Sequence, residues 1–346
     1  MSGLGARKSE HLSLCADGDV EHRGTSLLEQ VHLVHDSLPE LSYAEIDLSV
    51  PLLGRQLLAP VLISGMTGGT AEARELNRHL AELAQKYGFG MGVGSQRAML
   101  LDPALADTYR VRDVAPDVLL LANLGAVQAR DCGPERVAAL VDAIGADALC
   151  IHLNPAQELV QDEGDRDFRG CLAAIAEVAE SLPLPVVVKE TGCGLGPRTL
   201  ARLAQVGVTW VDVSGAGGTS WTAVEALRGT ARQRELGREL REWGIPTAAA
   251  VVYARRAGLR VIASGGVRGA VDAARALALG AEAVSLALPW LRAWAEGGSE
   301  GLRLAAERLI EGLRSACLLT GCRQVAALAH APRVLGAELR GWIEAR

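Results

Sequence analysis

The stretch RVIASGGVRGAVDAARALALGAEAVSLA, Arg260 to Ala287, reads as an apolar run, a glycine turn, an Ala- and Leu-rich helix and a second apolar run. Apolar runs as short as Arg260–Ser264 and Ala283–Ala287, bounded by glycines, are buried strands. Strands alternating with helices imply a parallel sheet, because parallel neighbours need a crossover connection and a helix supplies it. Upstream the same alternation recurs from about Pro60. It gives six further strands: Pro60–Ser64, Gly88–Val93, Val118–Ala122, Ala148–His152, Val186–Glu190 and Trp210–Ser214. Eight strands point to an α/β chain closed into a (β/α)8 TIM barrel, with an open doubly wound sheet as the alternative.

Residues 1–59 do not fit the repeating unit and are read as an N-terminal extension packed on the barrel of residues 60–346, within a single domain. A helix is expected over Leu27–Leu38 and an extended stretch over Ile46–Leu53. The charged stretch Gly229–Pro246 interrupts the sixth unit, and residues from Gly301 onward form one or two amphipathic helices.

Apolar residues make up 49% of the 346 and aromatics 3%, so the core must be filled by Ala, Leu and Val. A net charge of −6 argues against general attraction to nucleic acid or acidic membranes, so phosphate binding requires a local constellation. Seven cysteines, odd in number and without a C-x-x-C pair, read as reduced cytoplasmic thiols. The amino terminus carries no apolar signal region, and no run reaches the roughly eighteen apolar residues of a spanning helix.

Glycines and polar residues crowd just after the apolar runs, where barrels carry their active sites. Gly-rich loops follow strands six, seven and eight, the phosphate-binding end of many barrels. Any one Gly-Gly pair alone would be a tight turn; three at consecutive strand ends favour a phosphate. Lys189 ends a Val-Val-Val-Lys strand and would point into the mouth, suited to the pyrimidine edge of a flavin, with a snorkelling lysine as the plain alternative. The loop His152-x-Asn154-x-x-Gln157-Glu158 offers an imidazole, two amides and a carboxylate able to hold magnesium. Alone, His152 would be a satisfied core histidine. Arg7, Lys8 and His11 place three potential cations within about one helical turn, which suits a diphosphate, though such a cluster can equally be a solvated basic turn.

Taken together, these segments resemble type II isopentenyl diphosphate isomerases, the FMN-dependent family. The resemblance runs nearly end to end. It rests on Arg7-Lys8-x-x-His11, Met66-Thr67-Gly68-Gly69, Gly94-Ser95, Asn123-Leu124-Gly125, His152 to Glu158, Val188-Lys189-Glu190, Ser214 to Trp221, Gly244 to Thr247 and Ala263 to Gly266. It implies FMN across the barrel mouth, contacted by Gly65, Met66, Thr67, Ser95, Asn123, Lys189, Ser214 and Thr219, with its phosphate near Gly265, Gly266, Val267, Arg268, Leu286 and Ala287. It further implies substrate diphosphate among Arg7, Lys8, His11, Arg97, His152 and Asn154, with Mg²⁺ on Glu158. Gln157 stands beside the reacting carbons, Trp221 walls the apolar pocket, and Gln157 and His152 are the expected catalytic residues. Departures fall in variable stretches such as 229–243 and bear on oligomer contacts more than on chemistry.

The implied activity interconverts isopentenyl and dimethylallyl diphosphate in isoprenoid biosynthesis. Shifting the double bond involves no net oxidation, so the flavin is expected to work reduced, supplying the proton through N5 after priming by NADPH, because amides are too weakly acidic to protonate an alkene. The expected protein is a cytoplasmic homo-oligomer, a tetramer or octamer, with no nucleic-acid or membrane partner. An FMN-dependent oxidoreductase of the 2-hydroxy acid oxidase or dihydroorotate dehydrogenase type is the nearest rival. It is disfavoured because no catalytic Cys stands in a strand-end loop and no His is followed by a carboxylate-clamping Arg. A flavin-binding module without catalysis is the other alternative, and the filled His152–Glu158 loop speaks against it.

Overall fold

In the computed structural model, which describes residues 3–344, with side chains from Arg7 onward, all eight expected runs are strands. They are β1 Val61–Ile63, β2 Gly90–Gly92, β3 Leu119–Gly125, β4 Ala148–Leu153, β5 Val186–Glu190, β6 Trp210–Asp212, β7 Arg260–Ser264 and β8 Ala283–Leu286. Each pairs in parallel with the next, and β8 closes on β1 with Val284 opposite Val61. Closure leaves no free edge and excludes the open sheet.

Local signals set the helices between the strands. Thr70 caps the helix Ala71–Tyr87 by accepting from the Ala73 N–H, and Gly88, at φ 64°, ends it. The helix Thr247–Arg256 buries Ala248, Ala249, Ala250, Val251 and Ala254, small side chains that let it lie close on the sheet. That packing is how a chain so poor in aromatics fills its core.

The N-terminal region reaches over the barrel mouth. A helix, Gly3–Asp17, is followed by a segment that lies antiparallel to the loop after β6: His22 N–H donates to Gly218 O at 2.7 Å and Ser220 N–H to Val20 O at 2.8 Å. The helix expected over Leu27–Leu38 does not form. Leu27 sits at φ 57°, one 3₁₀ turn covers Leu28–Gln30, and Val31–Leu33 is a strand antiparallel to Arg333–Leu335. A pairing partner three hundred residues away overrides local helical pattern. The extended stretch expected over 46–53 ends as the first strand of a hairpin, Val50–Leu52 with Arg55–Leu57.

The charged insertion forms the helix Ala231–Glu239, opened by a Thr230–Gln233 capping box. Just beyond it, Arg241 donates to Glu21 O at 2.7 Å, and Glu242 accepts from the N–H groups of Arg23 and Gly24 at 2.9 and 2.7 Å. The insertion therefore grips the N-terminal arm over the site, a role beyond oligomer contacts. The C-terminal helix is longer than expected: Leu288–Leu318 runs through a bend at Gly298, followed by Ala337–Glu344. Among the described residues no helix is long and apolar enough to cross a membrane.

Candidate active site

Strand register assembles the mouth. His152 stands opposite Lys189, and Lys189 opposite Asp212, so three titratable side chains share one level of the barrel. Above them the strand ends and the N-terminal helix line a cleft. Every site residue expected from the sequence lines it. Arg7, Lys8 and His11 come from the N-terminal helix; Gly65, Met66 and Thr67 follow β1; Ser95 and Arg97 follow β2; Asn123 belongs to β3. From β4 and the short helix Pro155–Val160 come His152, Asn154, Gln157 and Glu158, and from β5 Lys189. Ser214, Thr219 and Trp221 follow β6, Gly265 to Arg268 follow β7, and Leu286 and Ala287 end β8.

The β4 loop is rigidly networked. Asn154 Nδ2 donates to Gln157 Oε1 at 3.2 Å and to Glu158 Oε1 at 2.9 Å, while Glu158 Oε2 accepts from the Asp165 N–H at 2.8 Å. A carboxylate offers about four lone-pair directions, so Glu158 keeps acceptor capacity for a cation. Asn123 Nδ2 donates to Val93 O at 3.0 Å, which turns its Oδ1 toward His152 Nδ1 at 2.9 Å. That arrangement puts the proton on Nδ1 and leaves Nε2 an acceptor. Burial, then the positive charges of Lys189 and Arg97, push His152 down to about 3, so the imidazole is neutral.

Lys189 Nζ donates to Glu190 O at 2.6 Å and forms no ion pair among the described residues. Next to it, the Glu190 carboxylate accepts the N–H groups of Thr191, Gly192, Cys193 and Gly194, which shapes the β5 loop. Cys193 stands in that strand-end loop. Burial pushes its thiol well up, so it is no ready base.

At the far end, Gly265 and Gly266 adopt φ of 89° and 69° in succession. A Cβ on Gly265 would stand 2.1 Å from Gly215 O, so only glycine allows the β6 and β7 loops to touch. Thr247 Oγ1 locks the turn by donating to Gly265 O at 2.6 Å. The helices Ala270–Ala278 and Leu288–Leu318 begin just after the β7 and β8 ends, and the unpaired N–H groups of a first helical turn favour an anion. Thr67 Oγ1 is buried without a hydrogen-bond partner among the described residues. A glycine–helix cradle, an unpaired lysine and an orphaned hydroxyl are the groups that a phosphorylated heteroaromatic ring system would satisfy.

Sequence reading missed Glu225. It is buried beneath the cleft, accepts from Gln157 Nε2 at 2.9 Å and Arg228 at 3.0 Å, and lies 3.1 Å from His11 Nε2. Burial works against its ionisation, but these partners hold its carboxyl below the usual range. The signal was spacing: Glu225 is four residues after Trp221, on the same helical face.

A parallel eight-stranded barrel with this cradle belongs to the FMN-dependent barrel enzymes, and residues 121–334 match the FMN-dependent dehydrogenase family. Solved mandelate oxidase, in complex with (S)-2-phenylpropionate, superposes with a TM-score of 0.66 at 19% identity over 94% of each chain, a likeness of fold alone. Isopentenyl-diphosphate delta-isomerase of a Synechococcus species is 49% identical over 94% of this chain and 95% of that protein. The enzymes of that name from Halobacterium salinarum and Thermococcus onnurineus are 45% and 44% identical, each over 98% of this chain and 96% and 94% of their own lengths. The chain belongs to the isopentenyl-diphosphate delta-isomerase family.

Proposed function

We propose that this enzyme interconverts isopentenyl and dimethylallyl diphosphate on reduced FMN, with NADPH to reduce the flavin and Mg²⁺ to hold the diphosphate. The observation that carries the reading is two separate anion-receiving sites in one cleft. One is the glycine cradle after β7 and β8, fit for the FMN phosphate. The other is Arg7, Lys8 and Arg97 with the carboxylate Glu158, fit for a metal-bound diphosphate. A hydroxy acid would ask of that second site one carboxylate clamp and no metal-holding carboxylate, and the mandelate oxidase likeness does not reach beyond the fold.

When bound, reduced flavin supplies the acid–base chemistry that carboxamides are too weak to perform. Gly65, Met66, Thr67, Ser95, Asn123, Ser214 and Thr219 frame it, and Lys189 balances negative charge on its ring. Magnesium keeps several waters and takes one or two carboxylates plus substrate oxygens, so Glu158 suffices as its side-chain ligand. Gln157, pinned between Asn154 and Glu225, holds its amide plane fixed against the reacting carbons. Neutral His152, its Nδ1–H held by Asn123 Oδ1, lines the cleft beside Asn154. Trp221, edge-on to His11 at 5.2 Å between ring centres, walls the apolar side.

On this reading residues 1–59 are an arm bearing substrate contacts and 60–346 the FMN barrel. On the same reading the protein is a homo-oligomer, a tetramer or octamer, to whose contacts exposed apolar side chains such as Leu101 and Trp243 are available. Seven unpaired cysteines support a reducing, cytoplasmic setting. The test is anaerobic incubation with Mg²⁺ and isopentenyl diphosphate, the flavin reduced either by NADPH or by light. Both arms should yield the dimethylallyl isomer. Absence of product in the light-reduced arm removes NADPH from a mere priming role, and turnover of a hydroxy acid with an electron acceptor instead would replace the isomerase reading.

A further inference from the structure

Gly68-Gly69 and Tyr109 have no part in the site as assigned so far. We infer that Tyr109, seated against this glycine pair, is a positioning residue that holds the Lys8 side-chain nitrogen at the diphosphate end of the cleft. The inference rests on the reading of Lys8 as a diphosphate ligand.

The contacts are specific. Lys8 Nζ donates to Tyr109 Oη at 2.7 Å and to Ser95 O at 3.0 Å, and Tyr109 Oη donates its own proton to Ser95 O at 2.8 Å. With Nζ 5.2 Å from the ring centre, the contact is made through the phenolic oxygen rather than the aromatic face. An ammonium has three hydrogens, so two are spent on this triangle and one is left for a ligand. Neither partner is charged: burial drives the Tyr109 phenol up, so it remains a neutral acceptor. The triangle orients Lys8 without neutralising it, and the counter-charge has to come from the substrate.

The glycines make the seat possible. A Cβ on Gly68 would lie 1.9 Å from the Tyr109 ring, and one on Gly69 3.4 Å from Lys8 Nζ. Gly69 N–H donates to Thr108 Oγ1 at 2.7 Å, and Asn77 Nδ2 donates to Thr108 O at 2.9 Å, so the turn presenting Tyr109 is itself fixed. Tyr109 is fully buried. Free rotation of a lysine stem costs affinity whenever it is frozen on binding, and a pre-formed triangle removes that cost in advance.

The test is a double-mutant cycle on the FMN-loaded enzyme with Mg²⁺ and isopentenyl diphosphate, using Tyr109→Phe, Lys8→Met and the pair. Tyr109→Phe deletes one hydroxyl and keeps the ring. It should raise KM about tenfold, the scale of a charge-assisted hydrogen bond, with little change in kcat or FMN affinity. In the Lys8→Met background the same change should alter KM by less than about twofold, because its target is gone. Gly68→Ala, which displaces the ring, should behave like Tyr109→Phe. Effects that multiply across the cycle, or a Tyr109→Phe enzyme of unaltered KM beside a Lys8→Met enzyme of raised KM, would overturn the positioning role. A Lys8→Met enzyme of normal KM would overturn the underlying placement of the diphosphate, a failure visible without any Tyr109 variant.

Discussion

Burial and the neighbouring Arg7 guanidinium bring Lys8 down to about 7, and among the described residues no carboxylate raises it again. Below that pH the free enzyme carries an ammonium at the diphosphate site; above it the charge is lost. Since kcat/KM reports the free enzyme, it should fall as pH rises through about 7, while kcat, measured with the anion already beside Lys8, should not fall there. A pH profile of both constants checks this, and an unchanged kcat/KM across pH 6–9 would contradict it. At this scale the sequence was legible wherever chemistry crowded into a short segment, as in His152 to Glu158. It was opaque where one residue serves several distant ones. Glu225 touches Gln157, His11 and Arg228, and only the folded helix shows that a carboxylate in a plain Trp-Thr-Ala-Val-Glu run is their common partner.

Between strand and helix, the loops after β6 and β7 are a single object, since Gly215 and Gly265 touch through their backbones. Gly265→Ala forces both a left-handed φ and a Cβ into Gly215 O. Purified in FMN, the variant should retain at least tenfold less flavin than wild type and melt earlier, with a stability loss of about 1–3 kcal/mol. Normal flavin content would show that the cradle lies elsewhere. Glycine pairs and short apolar runs announced these elements directly, because strand, turn and helix follow from a few neighbouring residues. The run from Leu27 to Leu38 misled for the opposite reason. Its Val31–Leu33 strand exists only because Arg333–Leu335 is there to pair with it, and no local window contains that partner.

Across the molecule, the barrel and the arm depend on different forces. Closed strands and Ala-rich helices bury the core, whereas the arm is attached by the Val20–Ser220 and His22–Gly218 hydrogen bonds, the grip of Arg241 and Glu242, and the pairing of Val31–Leu33. Val31 is completely buried at that junction. Val31→Asp would put an unpaired charge there and should destabilise the protein by about 3 kcal/mol or more. If the arm carries the diphosphate ligands, the variant should also raise KM well before it loses FMN. Thermal unfolding and flavin release measured side by side distinguish the two effects.

The clasp between Val31–Leu33 and Arg333–Leu335 also orders events during translation. When the first sixty residues leave the ribosome, the strand they must pair with has not been made, and the barrel can close while the leading segment still waits. The helix bearing Arg7, Lys8 and His11 need not wait for that clasp, because Gly218, Ser220, Arg241 and Glu242, all made earlier, already hold the segment that follows it. A nascent chain stalled short of Arg333 would hold a nearly finished barrel whose arm is tied down at residues 218–242 and loose at Val31–Leu33.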